Sequence, residues 1–191
     1  MNVAGVLKAI HHVPVGQVEI EFRAGVFRKK NFTPGVAPAV FDAIHTRLTQ
    51  KMEYTCEQTT DTIYGGYRMR EGGAIMQKVK LLSQDFYPRE ESPVEGVRLS
   101  VASEVDVPPI DHFMPSTKHK FQRHKDRTSF NVPGGAWRID LTRVLSLQDK
   151  DEDRYTYEVE VELADHSRLL IVPMPVLLAE GMEVLRGALT V

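Results

Sequence analysis

The chain has 191 residues, 42% of them hydrophobic, which suits one domain spanning 1–191 with a sizeable core. A formal net charge of -2 excludes a generally basic nucleic-acid coat, although it leaves room for a local basic site. The lone cysteine, Cys56, excludes an internal disulfide and a thiolate-rich zinc site. The N-terminus carries no secretory pattern, and no apolar run is long enough to cross a membrane.

Residues 1–16 are mixed and end in a Pro/Gly turn at Val13-Pro14-Val15-Gly16. A first strand is expected over about 17–23, followed by a break at Phe32-Thr33-Pro34-Gly35. Val40, Phe41, Ile44, Leu48 and Met52 recur at helical spacing, predicting a helix over 37–52. Strands are then expected at 53–58, 62–70, 74–82, 94–105, 120–131, 136–145, 154–163 and 167–172. Turn signals fall at Glu71-Gly72-Gly73, Pro88 to Pro93, Pro108-Pro109, Pro133-Gly134-Gly135 and Gln148 to Asp153. A second helix is expected over 176–189. Many antiparallel strands with few helices suggest a sandwich or a closed barrel.

Tyr157-Glu158-Val159-Glu160-Val161-Glu162-Leu163 alternates carboxylates with apolar residues, so on a strand all three glutamates share one face. Successive carboxylates there lie roughly 7 Å apart, and at an effective dielectric of ~20 each adjacent pair repels by roughly 2 kcal/mol. On an open surface water and salt relieve that repulsion; in an enclosed site a cation must. Val18-Glu19-Ile20-Glu21-Phe22 repeats the pattern. Between these two acidic strands the charged faces are basic: Arg68 and Arg70 align, as do Lys78 and Lys80, and Lys125 aligns with Arg127. Arg98 shares a face with Ser100 and Glu104. Solvated surfaces usually intersperse the two signs. Such segregation suits a barrel lumen with an acidic, metal-binding side and a basic, phosphate-binding side.

Four blocks carry a resemblance. They are Val18-Glu19-Ile20-Glu21-Phe22, His124-Lys125-Asp126-Arg127-Thr128-Ser129-Phe130, Trp137-Arg138-Ile139-Asp140-Leu141-Thr142 and residues 157–163. In this order the chain resembles the metal-dependent RNA 5′-triphosphatases of fungi and protozoa, which are triphosphate tunnel metalloenzymes. The resemblance implies an eight-stranded antiparallel β-barrel with helices packed outside. It implies hydrolysis of the γ-phosphate of 5′-triphosphate RNA, the first step of mRNA capping, with manganese-dependent hydrolysis of free NTPs as a side activity. By carry-over, Glu19, Glu21 and Glu162 would ligate Mg²⁺ or Mn²⁺, while Glu160 and Asp140 would orient the attacking water with support from Glu158. Arg68, Lys78, Arg98, Lys125 and Arg127 would grip the phosphates, and Glu104 would fix one of those cations. Which of Arg68 and Arg70, and of Lys78 and Lys80, occupies the site is left open by loop length.

The fungal relatives carry a Trp-containing segment that docks the guanylyltransferase. The only tryptophan here, Trp137, lies within a predicted strand, so a functional link to that partner is expected without a docking segment, and a stand-alone domain is the expectation. Nuclear residence follows from the family role alone. Two alternatives stay open: an inorganic or small-molecule triphosphatase of the same fold, and a noncatalytic RNA-binding module. His11, His12, His112, His119 and His124 read as loop surface, because no pair has helical metal-ligand spacing. The basic run from Lys118 to Lys125 is either a solvated strand approach or an outer contact for RNA.

Overall fold

The computed structural model describes residues 1–29, 31–64, 67–70, 73–87, 94–108, 120–147 and 154–190, the side chains of Lys120 and Arg154 aside. The turns expected at Glu71-Gly72, Pro88 to Pro93, Pro109 and Gln148 to Asp153, and the surface positions of His112 and His119, lie outside the described residues.

The described residues form nine strands: β1 (Val18–Arg28), β2 (Asn31–Pro34), β3 (Tyr54–Tyr64), β4 (Tyr67–Arg70), β5 (Ile75–Phe86), β6 (Gly96–Val107), β7 (Lys120–Asn131), β8 (Trp137–Leu147) and β9 (Arg154–Leu163). They form one antiparallel sheet in the order β2-β1-β6-β5-β4-β3-β7-β8-β9, closed by a β1–β9 pairing. Eight strands make the barrel, and β2 is a short flap hydrogen-bonded to β1 beyond the point where β9 leaves it. The closing seam is short: Glu21↔Glu162, Phe22↔Val161 and Arg23↔Glu160.

Period-two alternation decides which side chains line the barrel. Ile20, Phe22, Leu99, Val101, Trp137, Ile139, Leu141, Val159, Val161 and Leu163 point outward into a hydrophobic layer. That layer is covered by α1 (Val3–Ile10), α2 (Pro38–Thr49) and α4 (Met174–Leu189). Pro38 at the first position of α2 costs nothing, since its missing N–H would find no partner there. Trp137, 1% exposed, seats against α4 at Gly181, where a Cβ would stand 2.6 Å from the indole and 2.8 Å from Phe22. The apolar core therefore lies outside the barrel, between wall and helices. The interior is left to the charged residues.

Four expectations need correction. Phe32, Thr33 and Pro34, expected as a break, belong to β2 and pair with β1. Residues 3–10 form a helix, with the Asn2 side chain accepting the Gly5 N–H at 2.9 Å. Residues 54–64 form one unbroken strand, because Thr59 and Asp61 face an interior in which polar side chains belong. Residues 168–171 form a helical turn, α3 (Arg168–Ile171), instead of a strand. There Asp165 Oδ1 accepts the Ser167 N–H at 3.0 Å and starts the turn, and Pro173 ends it.

Candidate active site

The barrel encloses a cavity of about 330 Å³ lined almost entirely by charge. Acidic residues enter from the two ends of the strand order: Glu19 and Glu21 from β1, Glu158, Glu160 and Glu162 from β9. Arg68, Lys78, Lys125 and Arg127 line it from the intervening strands, and so does Glu104. Arg68 and Arg70 both reach the cavity, whereas Lys78 does and Lys80 does not; the sheet slips register between Lys80 and Leu82.

The carboxylates are buried and paired with cations. Glu160 contacts Arg23 Nε at 2.7 Å, and Glu158 meets Arg23 at 3.3 Å and Arg123 at 3.0 Å. Burial raises the Glu160 carboxyl, but Arg23, Arg127, Lys78 and Lys125 together hold it below the ordinary carboxylate value. Glu160 therefore stays ionised. Glu158 shifts the other way, through burial and the Glu160 charge. On the basic side, Lys125 Nζ donates to Asp61 at 2.6 Å, and Arg68 lies 3.5 Å from the same carboxylate.

Two expected residues stand outside the lining. Asp140 is completely buried behind it, accepting from Ser129 Oγ at 2.7 Å and from Arg138 at 2.8 and 2.9 Å, with Arg127 3.4 Å away. Both of its oxygens are engaged by those partners, and it is not among the lining residues. Arg98, the register partner of Arg23, is turned away from the lining, bound through two N–H groups to Asp85 at 2.6 and 2.9 Å and lying over the Phe32 ring.

The fit of the three carboxylates to a hard divalent cation can be judged from their surroundings. Glu21 and Glu162 are direct register partners, and Glu19 lies one rung further along β1. Burial and the Glu21 charge push the Glu19 carboxyl up to about 10, and the neighbouring Glu104 carboxylate adds to the rise. Burial, Asp140 and Glu21 lift Glu162 to about 7 even with Arg138 at 3.0 Å. Protons and side-chain cations thus offset an excess of negative charge. Among the described residues no three such groups converge as they now stand, because Lys78 and Arg138 draw Glu19 and Glu162 aside. Oxygen donors in this number, on adjoining rungs, match the chemistry of magnesium or manganese.

Residues 46–171 match the family described as mRNA capping enzyme, beta chain. A relative, the 5′RNA triphosphatase A449R of Paramecium bursaria Chlorella virus 1, is 34% identical over 175 residues, covering 89% of this chain and 87% of its own. This chain belongs to the mRNA capping enzyme β-chain family. Solved structures agree on the fold. The S. pombe Pct1 RNA triphosphatase, determined in complex with the Spt5 CTD, superposes with a TM-score of 0.76 at 16% identity, over 98% of this chain and 90% of its own. The Mimivirus capping enzyme triphosphatase does so at 0.64 and 14%, over 97% and 95%.

Within this capping-enzyme β chain, sequence reasoning missed several lining residues: Arg23, Glu57, Asp61, Arg123 and Arg138. Parity could have found four of them. Arg23 continues the Glu19, Glu21 face, Arg123 the Lys125, Arg127 face, Arg138 the Asp140 face, and Asp61 follows from Glu57 and Thr59 once β3 is unbroken. His124 is exposed on the outer wall beside Thr60, and His11 and His12 are exposed. From Phe121 on, the basic run splits, with Arg123 and Lys125 turning inward.

Proposed function

We infer that this chain is a metal-dependent RNA 5′-triphosphatase: water displaces the γ-phosphate of 5′-triphosphate RNA, leaving diphosphate-ended RNA and inorganic phosphate. The observation that carries the reading is a charged barrel cavity in which glutamates of β1 and β9 adjoin and cations of β4, β5, β7 and β8 predominate across from them. A triphosphate is the ligand that needs both, a row of cations for its oxygens and carboxylates to hold a cation and a water at one end.

Each residue then has a role. Arg68, Lys78, Lys125 and Arg127, joined by Arg23 and Arg123, hold the phosphate oxygens. Arg suits this because its planar fork spans two oxygens. Glu160, kept ionised by its cationic neighbours, accepts a hydrogen bond from the attacking water and aims it. Glu158 fixes Arg23 and Arg123, Glu104 and Asp61 fix Lys78 and Lys125, and Asp140 fixes Arg127 and Arg138. Glu19, Glu21 and Glu162 would hold Mg²⁺ or Mn²⁺, which would neutralise γ-phosphate charge and lower the pKa of the water. Free NTPs carry the same triphosphate and would be hydrolysed as a side reaction. The diphosphate product is what a guanylyltransferase consumes, and a capping role places the activity in the nucleus.

The test is phosphate release from γ-labelled 5′-triphosphate RNA, with and without Mn²⁺ and with tripolyphosphate as competitor. Glu160→Gln removes one charge without changing shape, and turnover should fall by roughly 10²–10⁴-fold with unchanged circular dichroism. Full activity in that variant would overturn the assignment. A noncatalytic RNA-binding module predicts unaltered function instead.

A further inference from the structure

The β1 lining continues past the phosphate cavity, and its character changes abruptly. Glu19, Glu21 and Arg23 line the cavity, and the next inward-facing positions along the strand are Gly25 and Phe27. Gly25 is the register partner of Gly96 on β6, so two glycines face each other one rung beyond Arg23. Neither has a positive φ, so backbone conformation does not explain them. Space does. A Cβ on Gly25 would lie 2.3 Å from the Thr33 carbonyl oxygen of β2 and 2.6 Å from the Phe32 ring, and one on Gly96 would lie 2.3 Å from the Phe27 ring.

The rings seated there form a continuous surface. Phe27 and Phe32 meet edge to face at 5.6 Å, and Phe27 lies against Tyr87 at 4.4 Å, tilted by 31°. Arg98, held by Asp85, lies 4.6 Å from the Phe32 centroid. Tyr87 is 73% exposed, an unusual position for a ring with an aromatic partner at its back.

We propose that Tyr87, backed by Phe27 and Phe32, is the stacking platform for the first nucleobase of the 5′-triphosphate RNA. This rests on the triphosphatase reading above and adds a subsite to it. The argument is one of continuity. In this reading the terminal phosphate sits at the Glu21–Glu162 rung and the α-phosphate end points toward Arg23, beyond which come the facing glycines and the rings over them. Rungs are spaced roughly 7 Å apart along a strand, so the Gly25 rung lies roughly 14 Å from Glu21, a span of the same order as that from a γ-phosphate to the base of one nucleotide. Every base has a π-face, so stacking would anchor the RNA without selecting a sequence.

The experiment compares kcat/KM for 5′-triphosphate RNA with that for tripolyphosphate, which has no base, in the wild type, Tyr87→Ala and Tyr87→Trp. The expected result is a roughly 5- to 100-fold fall in the RNA-to-tripolyphosphate ratio for Tyr87→Ala, carried by KM, and recovery of the ratio in Tyr87→Trp. Because Tyr87 is exposed, its truncation leaves the core intact. An unchanged ratio in Tyr87→Ala, or an equal loss on both substrates, would overturn the proposal while leaving the triphosphatase reading in place. A wild type that hydrolyses tripolyphosphate but not RNA would overturn both.

Discussion

Lys125 sits where a lysine is hard to keep charged. Burial and the nearby Arg68 and Arg123 pull its ammonium down to about 8, against the help of Asp61. Glu158 and Glu160 face it from β9 and feel its charge. In the empty tunnel Lys125 therefore loses its proton as pH climbs through about 8, and with it a grip on phosphate. We expect kcat/KM to fall above that pH and the falling limb to move beyond the accessible range in Lys125→Arg, since a guanidinium does not titrate there. A limb at the same pH in both proteins would assign the titration to another group. The linkage to stability has the opposite sign. A lysine whose pKa is lower folded than unfolded opposes folding below its folded value, and this opposition is relieved between about 8 and the ordinary lysine value.

At the scale of elements, α4 is held on the barrel by a close approach at one residue. Gly181 lets the helix backbone settle against the Trp137 and Phe22 rings, both fully buried, so neither ring has room to retreat. Gly181→Val should cost about 1–3 kcal/mol through overpacking and lower Tm by roughly 2–10 °C, with tunnel chemistry retained at lower temperature. An unchanged Tm would show that the helix shifts freely. The neighbouring element α1 was readable in principle. Val3, Val6, Leu7 and Ile10 have helical spacing and Asn2 is a good cap, but Gly5 and the short length dilute the signal. The run Leu169-Leu170-Ile171-Val172 was not readable, because four apolar residues fit a strand or a helical turn equally well.

At the scale of the whole molecule, the barrel closes through only three residue pairs between β1 and β9, and one of them sets Glu21 against Glu162. Like charges at a closing seam strain it, and Arg23 counters this by binding Glu158 and Glu160 across the seam. Arg23→Met would leave those buried carboxylates short of a partner and should destabilise by roughly 3 kcal/mol, lowering Tm by about 6–12 °C. A divalent cation at the same seam should do the reverse. Saturating Mn²⁺ should raise Tm relative to EDTA, by about 2.7 kcal/mol of stability at a hundredfold excess over Kd, and Glu21→Gln with Glu162→Gln should abolish the shift. Equal melting in metal and chelator would remove these carboxylates from the ligand set.

Alternation by itself determined that each long strand has an apolar and a charged face, and the clustering of glutamates on the first and next-to-last strands pointed to charged faces turned toward a common interior. Both are local properties, fixed by the period-two geometry of a strand. Tertiary structure alone decided what depended on the register between strands far apart in sequence. It set Asp140 behind the lining, turned Arg98 away from it, brought Arg23 to Glu158 and Glu160, and set Gly25 opposite Gly96. One residue of slip would turn every one of these side chains to the other face. The pairing that prevents it is enforced by the whole closed sheet and its outer helices, and no single stretch of sequence contains it.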